Sequence, residues 1–191
     1  DNVGGIIGNP NGAGVDGKSD LIKNCWNYGN INITKKTSTV TMALGGIVGK
    51  LTGATVENCH NEGNISSVCD VLTGIGGVVG IHKRDFESKI TSCSNGVLNA
   101  TDKGILSFNP EEGTQQMVIG GILGYSEDYT GKLTVQSCTN YAPISVSYNK
   151  MRNIGGIVGA IGKVTNQNGE KSSIELLIDK CHNYGGVTIE G

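Results

Sequence analysis

The residues of this chain that could do chemistry are six cysteines, three histidines, three equivalently placed tyrosines and a few neighbouring carboxylates. Asp16 and Asp20, with Asn9 and Asn11 close by, lie in a glycine-rich stretch, and such oxygens can hold calcium in a flexible loop. Their spacing fits neither the EF-hand loop nor the nonapeptide calcium repeat, so a solvated loop is the expected reading and no metal or other cofactor is expected. His60 and His182 each follow a cysteine. Adjacent strand residues point to opposite faces, so neither pair closes on one zinc, and exposed imidazoles are expected instead. "GAGVDG" at residues 12–17 has the spacing of a dinucleotide fingerprint, but the "KSDLIKNC" after it reads as a strand where that motif needs a helix. Glu111 and Glu112 adjoin, and Arg84 and Arg152 are the only arginines, a thin basis for a polysaccharide-cleaving site. Tyr28, Tyr141 and Tyr184 could present flat rings to a sugar; the alternative is cross-strand stabilisation of a turn.

These residues belong to a pattern written five times. Each copy opens on a glycine box: "VGGIIG" at 3–8, "LGGIVG" at 44–49, "IGGVVG" at 75–80, "IGGILG" at 119–124 and "IGGIVG" at 154–159. Each box is followed by an aliphatic residue three positions before a cysteine (Cys25, Cys59, Cys93, Cys138, Cys181). An asparagine stands two residues after each cysteine (Asn27, Asn61, Asn95, Asn140, Asn183), and then come a turn and a short alternating segment. The copies differ in length mainly in polar stretches between these pieces, as loops on a repeated frame do.

Valine, isoleucine, threonine and glycine dominate the copies, and apolar residues alternate over short runs, as at Ile31–Ile33, Ile144–Val146 and Val187–Ile189. The expected fold is all-β: a three-sided β-solenoid, or parallel β-helix, of about five coils with variable loops, making one domain over residues 1–191. The box is expected to form one side, the stretch before cysteine a second, and the stretch after the turn a third. Equivalent residues would then stack about 4.8 Å apart. Cysteine suits a narrow interior as a small, buried free thiol, and asparagine suits an amide ladder. Cys69 lies outside the pattern and is the thiol expected to react first. The odd spacing from aliphatic residue to cysteine demands a bend between them, because strict alternation would put the two on opposite faces. Tight turns are expected at Gly29, Gly63 and Gly185.

Composition narrows the function. The net charge of -2 gives no reason to expect nucleic acid or an anionic membrane as partner, and no apolar run reaches spanning length. Neither end of the chain reads as a polar cap, so a fragment of a longer array with end-to-end self-association is expected.

The five paired "GG-[IV]-[IVL]-G" and "C-x-N" pieces resemble the GLUG repeat family of large bacterial surface proteins, which includes the N-terminal region of IgA-cleaving metallopeptidases. The resemblance implies a secreted or surface-attached bacterial repeat region. The zinc-binding "H-E-x-x-H" helix of those peptidases has no match in this chain, so no catalytic role carries over. The expected function is a non-catalytic stalk, spacer or adhesive module binding a host or surface glycan or protein. The alternatives are an accessory region of a secreted protease and a polysaccharide-active β-helix enzyme.

Overall fold

The residue before each repeated cysteine adopts the left-handed conformation: Asn24, Asn58, Ser92, Ser137 and Lys180, at φ 49–56°. This is the bend that the odd spacing demands. It returns Cys59 to the interior that already holds Val56, and it acts alike in the other copies. Asparagine tolerates this conformation better than other non-glycine residues, and two of the five positions carry it.

The structure, a computed structural model, describes residues 1–10, 20–34, 42–69, 73–83, 87–109, 117–127, 131–147, 153–162 and 175–190. It is an all-β parallel solenoid of five coils, without a helix among the described residues. The second coil shows the plan, with strands Met42–Gly45, Val48–Leu51, Ala54–Glu57, His60–Asn61 and Ile65–Ser67. Each strand pairs in parallel with its counterparts one coil away, so five sheets run the length of the stack in sequence order. The first coil joins the second of these sheets through the single bridge Ile7↔Val48. Register is maintained throughout: Val3, Leu44, Ile75, Ile119 and Ile154 form one column, and Ile31, Ile65, Leu106, Ile144 and Val187 another.

The glycine box does not form one side of the coil. It divides at its glycine pair, where one strand stops at Gly45 and the next begins at Val48. The cause is close backbone approach. A Cβ on Gly45 would fall on the carbonyl oxygen of Val48 and come 2.7 Å from the amide nitrogen of Gly80 in the next coil. The kink turns successive apolar residues into different parts of the interior, which is why the box is apolar on both parities.

Two apolar clusters result. One holds Ile47, Val48, Leu51, Val56 and Cys59 with their counterparts. The other holds Met42, Leu44 and Ile65 with theirs, and also Cys69. Side chains such as Leu44, Leu51, Ile90 and Ile119 are wholly buried, each contributing about 1.5–3 kcal/mol.

Candidate functional site

The repeated asparagines build a continuous amide ladder where the chain passes from one cluster to the other. Asn27 Nδ2 donates to Asn61 Oδ1 at 2.8 Å, Asn61 Nδ2 to Asn95 Oδ1 at 2.8 Å, Asn95 Nδ2 to Asn140 Oδ1 at 2.9 Å and Asn140 Nδ2 to Asn183 Oδ1 at 2.8 Å. Each Nδ2 also donates to a turn carbonyl of its own coil, that of Gly29, Gly63, Gly104, Ala142 or Gly185. Both amide protons of a central member are therefore used, which is what a buried amide needs. The second glycine of the box completes the arrangement. A Cβ on Gly77 would collide with Asn95 Cγ and with the carbonyl oxygen of Gly121 in the next coil. Gly46 and Asn61 meet in the same way, as do Gly121 and Asn140. The glycine pair and the distant asparagine are thus two halves of one contact, and this coupling was not legible from their separate spacings.

The cysteines stand in one inner column. The carbonyls of Cys25, Cys59, Cys93 and Cys138 each accept the backbone N–H of the residue after the next coil's cysteine. Cys59 Sγ reaches Ile22 O at 3.6 Å, Cys93 Sγ reaches Val56 O at 3.6 Å and Cys138 Sγ reaches Ile90 O at 3.4 Å, so each thiol can donate to the coil before its own. All six cysteines are free. Hydrogen bonds with Cys138 and Cys59, together with burial, push the Cys93 thiol up. The same thiol contacts draw Cys59 and Cys138 down, while burial pushes Cys25 and Cys181 up.

Access decides reactivity here, since Cys59, Cys93 and Cys138 are buried whatever their acidity. Cys69 is also wholly buried, its backbone N–H on Ser67 Oγ at 3.2 Å, so the sequence expectation that it reacts first is corrected. A thiol reagent added to native protein, with peptide mapping, is expected to label Cys25 and Cys181 first, because each packs at an end of the column and is only partly covered. Prior labelling of Cys69 or Cys93 would contradict this burial.

Residues 40–66 match the family model of the GLUG motif. The stretch covers the second coil from its first strand through its box, cysteine and ladder asparagine to the third side. The other four coils place the same residue types at the same registered positions. No curated protein and no solved structure matches the chain.

Outside this repeated frame the coils differ. The position after cysteine reads Trp26, His60, Ser94, Thr139 and His182 up the stack. His60 is half-buried rather than exposed: Nδ1 lies 2.7 Å from Ser94 Oγ, Nε2 lies 3.2 Å from Asn58 Oδ1, and the ring tilts against Trp26 at 5.0 Å. Burial lowers its pKa. His182 is exposed and stacks with Tyr184 at 6.1 Å. Tyr141 and Tyr184 stack at 5.6 Å with planes 7° apart, whereas Tyr28 stands at the far end of that column beyond the coils of Glu62 and Gly96. The parallel rings face each other one coil apart, which is the arrangement of a stabilising pair.

Asp20 is the exposed first residue of a strand, while Asp16, Asn11, the "GAGVDG" stretch, Arg84, Arg152, Glu111 and Glu112 lie outside the described residues. No group of three potential metal ligands occurs among the described residues. His82 is the unanticipated one: it is 1% exposed, with Nδ1 2.9 Å from Ser126 Oγ and no partner at Nε2. Burial lowers its pKa to about 4, so it is neutral at neutral pH. Strict alternation along "VVGIHK" gave no reason to separate it from the exposed histidines.

Proposed function

We propose that this chain is a non-catalytic repeat module serving as a spacer or stalk segment of a secreted or surface-attached bacterial protein. One observation carries the reading. The residues that recur in every coil are committed to coil-to-coil contacts: the box glycines to backbone approach, the cysteines to the inner column, the asparagines to the ladder. No outward column keeps one residue type in every coil, as in Trp26, His60, Ser94, Thr139 and His182. What repeats is the means of stacking, and its product is axial length at about 4.8 Å per coil.

The polysaccharide-cleaving alternative draws no support from the column Lys23, Glu57, Thr91, Gln136 and Asp179. Its two carboxylates stand three coils apart, roughly 14 Å by the strand spacing, which is beyond the reach of a glycosidase pair. Glu57 is also paired with Lys23 at 2.7 Å.

A glycan array and a polysaccharide panel test the proposal. The expected result is no selective binding and no release of chain ends. Selective, saturable glycan binding that is lost in Tyr141→Ala and Tyr184→Ala would replace the spacer with an adhesive module, and release of chain ends would replace it with an enzyme.

A further inference from the structure

The residue after each ladder asparagine is Tyr28, Glu62, Gly96, Tyr141 or Tyr184, so the third coil alone carries an asparagine-glycine pair in the ladder. Two separate demands of the fold put it there. The ladder requires the amide of Asn95, which bonds Asn61, Asn140 and the carbonyl of Gly104. The turn requires the glycine. In the second coil the ladder amide reaches a turn carbonyl two residues on, and in the third it reaches Gly104, nine residues on. The longer turn leaves Asn95 through Gly96 at φ 77°, in the left-handed region that suits glycine. A Cβ on Gly96 would also stand 2.8 Å from both the Cβ and the amide nitrogen of Ala142 in the next coil.

An asparagine followed by glycine is chemically labile, because no Cβ hinders attack of the glycine nitrogen on the asparagine Cγ. Gly96 N would lose its proton to water and bond to Asn95 Cγ. The Cγ–Nδ2 bond would break, its electron pair leaving with nitrogen, which takes up a proton and departs as ammonia. The resulting succinimide consumes one water and opens to aspartate or isoaspartate. The closed stack blocks the first step. Asn95 and Gly96 are both buried, and three partners hold the Asn95 amide. Gly96 N–H donates to Asn61 O at 2.8 Å, so the nucleophile is engaged by the preceding coil. Attack needs that bond broken and the carboxamide turned out of the ladder, which opening of the third coil allows.

The products cannot resume the rung. Aspartate lacks the Nδ2 protons that Asn140 Oδ1 and Gly104 O accept, and it places a charge in a buried site. Isoaspartate also inserts a carbon into the main chain, out of step with the coils on either side.

We propose that Asn95 and Gly96 form a deamidation site that the closed stack protects, and that each opening of the third coil risks a permanent covalent change that leaves the coil weaker. The proposal goes beyond the spacer reading and does not depend on it, since it follows from the ladder and the turn alone.

Peptide mapping by mass spectrometry tests it, on the 191-residue chain held in mildly alkaline buffer with and without urea. Asn11 and Asn168, the other asparagines followed by glycine, give the rate of the same chemistry in the unfolded chain. In urea Asn95 is expected to deamidate as fast as those two. Without urea it should react at least about a hundredfold more slowly than with it, because only the open fraction reacts. After urea is removed, brief proteolysis at neutral pH should digest chains modified at position 95 at least about tenfold faster than unmodified chains, because they open more often. An Asn95 that stays intact in urea while Asn11 and Asn168 react overturns the proposal. So does deamidation without urea within about threefold of the rate in urea, or modified chains as resistant to proteolysis as unmodified ones.

Discussion

Gly76→Ala is expected to leave little soluble folded protein, whereas Gly186→Ala should fold like the wild type. At Gly76 a Cβ would land on the carbonyl oxygen of Val79 within its own turn and lie 2.7 Å from the amide nitrogen of Gly124 in the following coil. Both obstacles are backbone, and no flexible side chain can move aside. Relief would require the glycine turn to open or the third and fourth coils to separate, and either breaks parallel pairing that both flanking strands of the third coil share. The cost is about 4 kcal/mol or more, at the extreme of single substitutions and comparable with the whole stability of many domains. At Gly186 a Cβ would meet nothing within 4 Å, so a change within about 0.5 kcal/mol is expected. Soluble yield and far-UV circular dichroism of the two variants check the contrast. A Gly76→Ala protein with wild-type yield and urea midpoint would mean that box glycines are not required by coil approach.

Much of this frame is legible in the chain because a solenoid repeats each local requirement. Cysteine spacing, the asparagine two residues later and the alternation after the turn define the columns without any long-range information. The bend before cysteine follows from parity alone, and it appears as five left-handed residues. Four things stayed hidden, each for a physical reason. The box reads as one apolar stretch, and only backbone proximity reveals that its glycines divide it between two sheets. The contact of Gly77 with Asn95 joins residues remote in sequence and leaves no periodic trace. Cys69 stands next to the third side and looks like a loop residue, yet the second apolar cluster encloses it. The direction of the tyrosine faces was likewise undetermined, since ring orientation depends on neighbours one coil away.

Asn95→Leu, at the centre of the ladder, is expected to lower stability by roughly 3–6 kcal/mol, against about 1 kcal/mol for Asn183→Leu at its exposed end. Leucine is close to asparagine in size but has no amide. Three buried groups lose Asn95 as partner: an Asn61 Nδ2 proton, Asn140 Oδ1 and the carbonyl of Gly104. At about 1–3 kcal/mol for each unsatisfied group, three groups give about 3–9 kcal/mol, and the lower half of that span is expected. Asn140 Oδ1 keeps the N–H of Ala142 at 3.3 Å, which favours the lower part. Asn183 gives up fewer buried contacts, because its own Nδ2 bond to Gly185 is exposed.

Asn95→Asp separates lost hydrogen bonding from lost packing. A carboxylate there still accepts from Asn61 but faces Asn140 Oδ1 and Gly104 O, two acceptors, in a buried site. Burial and those acceptors raise its pKa above that of an unfolded aspartate. A raised carboxyl pKa means that the folded state binds the proton more tightly. The variant is therefore least impaired below about pH 4 and loses stability as pH rises toward the folded-state pKa. Urea midpoints of both variants, referred to wild type between mildly acidic and neutral pH, check the pair. The Leu variant should show a deficit independent of pH and the Asp variant one that grows with pH. Equal and pH-independent deficits would assign the role of Asn95 to shape alone, and the ladder would then not be what holds the coils in register.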